Sequence, residues 1–334
     1  MQKQVWNINK LLTWAIDYFK TKDIPNPRLS AELLLSSVLN LSRMELYLKY
    51  DYILNEQQLK KYKEFILRRL EHEPIQYITE EAYFRKIKLK VNKNVLIPRP
   101  ETELVVEKAK EAIKEIINFK NDKKKNKVKN QIDNKIDNNI NIIDVGVGSG
   151  AISISLLYEY DENSNENNNY YLNIIATDIS KEAIEVASQN AKSILNPSKN
   201  EHLSFIECDV ICDNDSDFVN NYLGNVDLII SNPPYIAKKD YENLNKEVKN
   251  FEPEIALNAG DEGIESYQHI IKKIKSFLNP NFSFIIFEID PKISLKLQEL
   301  IKTELPLALI RVEKDYNNFD RILIAKIISL NLKY

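Results

Sequence analysis

The stretch Ser231-Asn232-Pro233-Pro234-Tyr235 has the residue types best suited to chemistry in this chain. The side-chain oxygen of Asn232 and a backbone carbonyl of the Pro233-Pro234 turn can each accept a hydrogen bond, and proline has no N–H to compete with them. Two converging acceptors grip an NH₂ group. Tyr235 offers a flat face on which a planar amide or base stacks. An amide nitrogen is too weakly acidic to be deprotonated first, so chemistry on it rests on desolvation, in-line alignment and stabilisation of developing charge. A plain Pro-Pro turn at a strand end would account for Pro233 and Pro234, but not for the asparagine and tyrosine that flank them.

A second constellation lies upstream. The chain has only six glycines, and three of them, Gly146, Gly148 and Gly150, fall within five residues, interleaved with Val147 and Ser149. They follow the strand expected at Ile142–Val145 and precede a helix starting at Ala151. Such a turn lets backbone approach a ligand closely, and the helix start offers unpaired N–H groups. The spacing suits a dinucleotide site equally well. Asp178 ends the next expected strand, where a carboxylate can accept both hydroxyls of a ribose; the Asn-rich run Asp161–Asn169 accounts for an interval longer than about 20 residues. Asp209 is placed to accept an adenine amino group, with Val210 against the ring, and Asp144 to orient the glycine loop or hold an ammonium group. Taken alone, either Asp178 or Asp209 also reads as a helix cap or a solvated strand end. With Asn232–Tyr235 nearby, S-adenosylmethionine is the expected cofactor.

The elements that must hold these residues read as an alternation. Apolar strand candidates at Ile142–Val145, Asn173–Thr177, Leu203–Glu207, Asp227–Ser231 and Phe282–Ile289 are separated by amphipathic stretches such as Lys181–Ile194 and Tyr267–Leu278, which predicts a doubly wound α/β sheet. Ala308–Asp315 and Arg321–Ile328 leave no room for a helix between them and should form an antiparallel edge, giving seven strands in a Rossmann-like sheet. Before Pro100 the pattern differs. Trp6 to about Leu70 has apolar residues at three- and four-residue steps, predicting a small helical bundle, and Tyr77–Leu96 alternates with period two, predicting a hairpin. The expected division is a helical domain over 1–74, a hairpin linker over 75–97 and the α/β domain over 98–334. Lys120–Asn141, Asp161–Asn169 and Asp213–Asn225 are Asn-rich and are expected to be solvated loop expansions between elements.

Composition narrows the partners. A net charge of −3 on 334 residues argues against coating nucleic acid, which leaves a basic footprint. Cys208 and Cys212 are too close for an ordinary loop-closing bridge, and no His/Cys spacing suits zinc, so no metal is expected. Neither a signal peptide nor a membrane-spanning run is read from the sequence, and a cytoplasmic protein is expected.

On its motifs the sequence resembles the release-factor glutamine methyltransferases, the HemK/PrmC family. The resemblance rests on Pro74-Ile75-Gln76-Tyr77-Ile78 with Phe84, and on Val95-Leu96-Ile97-Pro98-Arg99-Pro100-Glu101-Thr102-Glu103. It also rests on Asp144–Gly150, Asn232–Tyr235, Glu252-Pro253, Ala256-Leu257, Gly260-Asp261-Glu262-Gly263 with Tyr267, and Asp315 with Asp320-Arg321. It implies a helical amino-terminal domain that helps bind a peptide chain release factor, and a catalytic domain that methylates the glutamine of its Gly-Gly-Gln tip. It also implies that Arg99 and Glu101–Glu103 lie near the catalytic opening, with Arg99, Glu101 and Glu103 as substrate contacts; by themselves these residues read as salt bridges or a helix start. The chain departs from the family at Thr79-Glu80-Glu81, at Glu288-Ile289-Asp290 and at Ala259-Gly260, where glycines are usual. Two other readings predict different behaviour: a nucleic-acid amino methyltransferase requires a basic groove, and a silent release-factor binder would bind without transferring methyl.

Overall fold

The computed structural model describes residues 5–129, 138–160 and 170–329. Its helices are α1 (Ile8–Thr21), α2 (Pro27–Leu39), α3 (Arg43–Leu48), α4 (Glu56–Leu70), α5 (Ile75–Thr79), α6 (Glu103–Lys129) and α7 (Ala151–Glu159). After these come α8 (Lys181–Ile194), α9 (Pro197–Asn200), α10 (Ser216–Tyr222), α11 (Lys238–Tyr241), α12 (Lys246–Phe251), α13 (Glu265–Ile274) and α14 (Ser294–Glu304). The strands are β1 (Glu81–Phe84), β2 (Ile87–Lys90), β3 (Asn139–Val145), β4 (Tyr171–Asp178), β5 (Leu203–Glu207), β6 (Leu228–Ser231), β7 (Phe282–Glu288), β8 (Ala308–Lys314) and β9 (Asp320–Ile328). They divide into two compact units.

The first unit comprises the described residues up to Glu81 with Val91–Lys93 and Leu244–Glu252. Its helices form because their apolar residues recur on one face: Leu11, Leu12, Ala15 and Phe19 of α1, Leu34 and Leu35 of α2, and Tyr62, Phe65 and Ile66 of α4 share one core. Local signals set the boundaries. The Asn7 side chain accepts from the Lys10 N–H at the start of α1, and Asn55 and Gln58 form a reciprocal capping box on α4. Arg69, almost wholly buried, pairs with Glu247 of α12 at 2.6 Å. The residues expected to open the hairpin instead wind into α5, and the two-stranded β1–β2 ladder occupies only Glu81–Lys90. Glu80, at φ 59°, ends α5 in the left-handed region where glycine is usual.

The second unit holds a seven-stranded sheet in the order β5-β4-β3-β6-β7-β9-β8. The first five in this order are parallel; β9 runs antiparallel to β7 and β8. This is the doubly wound sheet with the antiparallel edge read from the sequence. Ile140, Ile142, Ile143 and all seven residues of β7 are buried, as expected of central strands covered on both faces.

Two Asn-rich stretches are not the loops expected of them. α6 continues to Lys129, taking in the start of the first, because the apolar stripe of Ile113, Ile116 and Ile117 already anchors the helix. Asp213–Asn225 contains α10, capped by the Asp215 carboxylate accepting from the N–H groups of Asp217 and Phe218, and pinned by Phe218 in the core of the sheet. Residues 130–137 and Asp161–Asn169 lie outside the described residues. Among the described residues no helix is long and apolar enough to cross a membrane, and no group of three or more His, Cys, Asp or Glu side chains is placed to hold a metal ion.

Candidate active site

The loops leaving the carboxyl ends of β3, β4, β5 and β6 converge on one cavity of about 340 Å³ within the second unit. Parallel sheets place ligands at this edge, where the strand order reverses between β3 and β6. Gly146, Val147, Gly148, Ser149, Asp178, Asp209, Val210, Asn232, Pro233, Pro234 and Arg99 all line it. The glycine loop and the Asn-Pro-Pro turn, separated by more than eighty residues in the chain, therefore face a common space.

The glycine loop is held from beneath. The N–H groups of Gly146 and Val147 donate to the Thr177 carbonyl at 2.8 and 2.9 Å, and that of Gly148 donates to Oδ2 of Asp178 at 2.9 Å. Gly146 and Gly148 have φ of 75° and 54°, and a Cβ on either would meet no atom within 4 Å, so the conformation demands glycine and leaves open space over the backbone. Gly150 has a different task. A Cβ there would stand 2.5 Å from Cδ1 of Ile154, so this glycine serves the packing of α7 and does not line the cavity.

The acids divide by environment. Oδ1 of Asp178 accepts from the Ser180 N–H at 2.9 Å while Oδ2 holds Gly148; burial nonetheless raises its pKa, backbone bonds from Ser180, Gly148 and Ile179 working against that rise. Asp209 is half exposed, with Oδ2 2.7 Å from Nε2 of His269 and 3.7 Å from Nζ of Lys273. Val210 adopts φ 71°, a costly conformation for a β-branched residue, and the Thr177 hydroxyl clamps its carbonyl at 2.8 Å. Asp144 is buried and lies outside the lining. Its Oδ2 accepts from the Ser153 hydroxyl of α7 at 2.5 Å, its Oδ1 has no partner among the described residues, and burial pushes its carboxyl up to about 6.

At the other end of the cavity, Nδ2 of Asn232 donates to the Thr102 hydroxyl at 3.2 Å. Tyr235 is not in the lining; its ring packs against the core, and burial pushes its phenol well above the ordinary value. Glu101 and Glu103 do not line the cavity either. The Glu103 carboxylate accepts from the Arg85 N–H at 3.0 Å, tying the start of α6 to the β1–β2 turn. Thr102 and His269, which do line it, were not singled out from the sequence. Thr102 sat inside the quoted Pro98–Glu103 run, whereas His269 carried no signal beyond its place on a helix.

The amino-terminal part of the chain, residues 10–79, matches the model of the PrmC N-terminal domain, and residues 136–330 match that of a methyltransferase domain. A release factor glutamine methyltransferase of Chlorobaculum tepidum is 34% identical over 96% of this chain and 97% of its own. The chain belongs to the release factor glutamine methyltransferase family. Relatives of the same name from Fusobacterium nucleatum (32% identical, 93% of this chain and 77% of the relative) and Leptospira interrogans (37%, 75% of each) extend the match. The glycine loop Gly146–Ser149 and the turn Asn232–Pro234, which line the cavity, both fall within the stretch that matches the methyltransferase domain.

Proposed function

We propose that this chain transfers the methyl group of S-adenosylmethionine to the side-chain amide nitrogen of the glutamine in the Gly-Gly-Gln tip of a peptide chain release factor, in the cytoplasm. The observation that carries this reading is the shared cavity: the glycine loop and two acids line it together with Asn232 and the Pro-Pro turn. The residues fit the cofactor. Bare backbone at Gly146 and Gly148 leaves room for a ligand, Asp178 has further lone pairs for hydroxyl donors, and Asp209 and Val210 offer an acceptor beside an apolar wall. When bound, the cofactor supplies an electrophilic methyl group.

The chain's own residues then have positioning to do. The Asn232 oxygen and a carbonyl of the Pro-Pro turn accept from the glutamine NH₂, fixing the direction of the nitrogen lone pair. Hydrogen-bond acceptors also stabilise the positive charge that grows on nitrogen as the new bond forms. Buried Asp144, through Ser153, anchors α7 beneath the glycine loop rather than meeting the ligand. The helical unit supplies protein recognition, since a glutamine side chain alone is too small to select a substrate.

Incubating the full chain with labelled S-adenosylmethionine and, separately, release factor, a Gly-Gly-Gln peptide, DNA and RNA tests this. Label on the release-factor glutamine is expected, and Asn232→Ala should lower the single-turnover rate by about 10²–10³ with cofactor binding retained. Label on nucleic acid alone, or an Asn232→Ala rate within a few-fold of the parent, would overturn the reading.

A further inference from the structure

Asn232 and Glu288 leave neighbouring parallel strands at the same level, because Ser231 of β6 is paired with Phe287 of β7. Thr102 stands between them. It is buried, lines the cavity and accepts from Nδ2 of Asn232 at 3.2 Å, and its hydroxyl lowers the pKa of the Glu288 carboxyl, as a donor to that carboxylate would. Glu288 is 1% exposed, and its Oε2 has no partner among the described residues. A buried carboxylate with no ion pair among the described residues is costly.

A hydroxyl has one proton and two lone pairs. When Thr102 gives its proton to the Glu288 carboxylate, only lone pairs remain to face Asn232. The asparagine must then present its NH₂ to Thr102, and its oxygen is turned the other way. A flipped amide would set Oδ1 against a threonine oxygen with no proton between them, losing one hydrogen bond and adding a repulsion. We propose that Glu288 and Thr102 are positioning residues that lock the Asn232 side chain with its oxygen toward the substrate amide. This rests on the reading of Asn232 as the acceptor for the glutamine NH₂.

The lock has a direction that depends on ionisation. A protonated Glu288 can give its own proton to Thr102, freeing the threonine proton for Oδ1 of a flipped Asn232. Burial pushes the Glu288 carboxyl up to about 7, against the lowering effect of the Thr102 bond, so this reversal falls in an accessible pH range. The groups that face Glu288 are Arg321 of β9, Arg99 and Glu101 before α6, Tyr235 after the Pro-Pro turn, Tyr267 of α13, and nearby Asp290. Both tyrosine phenols are raised by burial, so they stay neutral across that range.

Single-turnover methylation of release factor by the full chain, with cofactor affinity measured alongside, tests the lock. Thr102→Val should slow the rate on the order of tenfold or more with cofactor affinity unchanged, and Thr102→Ser should restore it to within a few-fold. In an Asn232→Ala background Thr102→Val should have no further effect, which a merely structural threonine would not show. The parent rate should rise with pH through the Glu288 titration, and Glu288→Gln should flatten that rise. If Asn232→Ala is slow while Thr102→Val keeps the parent rate, or if the two effects multiply, the lock is wrong and the acceptor role stands. If Asn232→Ala is itself fast, both fall. Should Thr102→Val fail to bind cofactor, the Thr102→Ser and Glu288→Gln pH profiles decide: a rise retained in Glu288→Gln sinks the proposal.

Discussion

Nε2 of His269 stands 2.7 Å from Oδ2 of Asp209, so one oxygen of the acid proposed to read the adenine amino group is already engaged from the neighbouring helix α13. An ionised carboxylate can only accept, so the imidazole donates through Nε2 and fixes the carboxylate's rotation. Asp209→Ala should weaken S-adenosylmethionine binding by about tenfold, the worth of one hydrogen bond, and His269→Ala by a smaller factor. Calorimetry on both variants checks the order; a His269 effect larger than that of Asp209 would show that the histidine meets the ligand directly.

Asp178 should be the more damaging loss. Its two oxygens hold the N–H groups of Gly148 and Ser180, so Asp178→Ala removes a candidate ribose acceptor and the support of the glycine loop together. The expected result is a fall in cofactor affinity well beyond that of Asp209→Ala, with the melting temperature lowered by several degrees. Unchanged affinity in the folded variant would take Asp178 out of the site.

Two glycines should respond to alanine in different ways. At Gly146 there is open space for a methyl group, so Gly146→Ala costs only left-handed backbone strain, about 1 kcal/mol, while intruding on the cofactor's room. At Gly263, with φ 80°, a Cβ would stand 2.8 Å from the backbone oxygen of Tyr235, which cannot yield without moving the Asn-Pro-Pro-Tyr turn. Gly263→Ala should therefore cost about 2 kcal/mol or more and slow methyl transfer, whereas Gly146→Ala should chiefly weaken cofactor binding. Denaturant melts paired with single-turnover rates separate the two.

Glu288 also makes a stability prediction. Its ordinary value of 4.5 is raised by burial to about 7, so the folded state holds its proton where the unfolded chain has released it. The contribution is fully present below about 4.5 and is lost as pH rises through about 7. Glu288→Gln stays neutral throughout, so relative to the parent it should gain stability on the order of 2 kcal/mol between pH 5 and pH 8. Thermal melts across that range check the sign; a difference that stays flat from pH 5 to pH 8 would mean the carboxyl is already ionised in the folded chain below pH 5.

The sheet was legible because each strand is an apolar run closed by a turn signal: Leu203–Glu207 is β5 residue for residue, and the break between Ala308–Lys314 and Asp320–Ile328 leaves only a hairpin. The cavity's two signatures were legible because their residue types are rare in combination. What sequence could not resolve was which member of a motif turns inward. Asp144, Gly150, Tyr235 and Glu103 all belong to recognisable runs, yet packing directs them to α7, the core or Arg85. α10 was hidden for the opposite reason, since one buried phenylalanine and one aspartate cap outweigh a composition that reads as loop.

The position of β9 bears on how the site is made. It comes after β8 in the chain but lies inside it in the sheet, pairing with β7 on one side and β8 on the other, so it is β9 and not β8 that covers the edge of β7. Without β9, β7 would present a bare edge and Glu288 would lose Ile322, its partner across the ladder. Both signature loops lie before β9 in the chain, so completing the surroundings of Glu288 depends on a strand far from either of them in sequence.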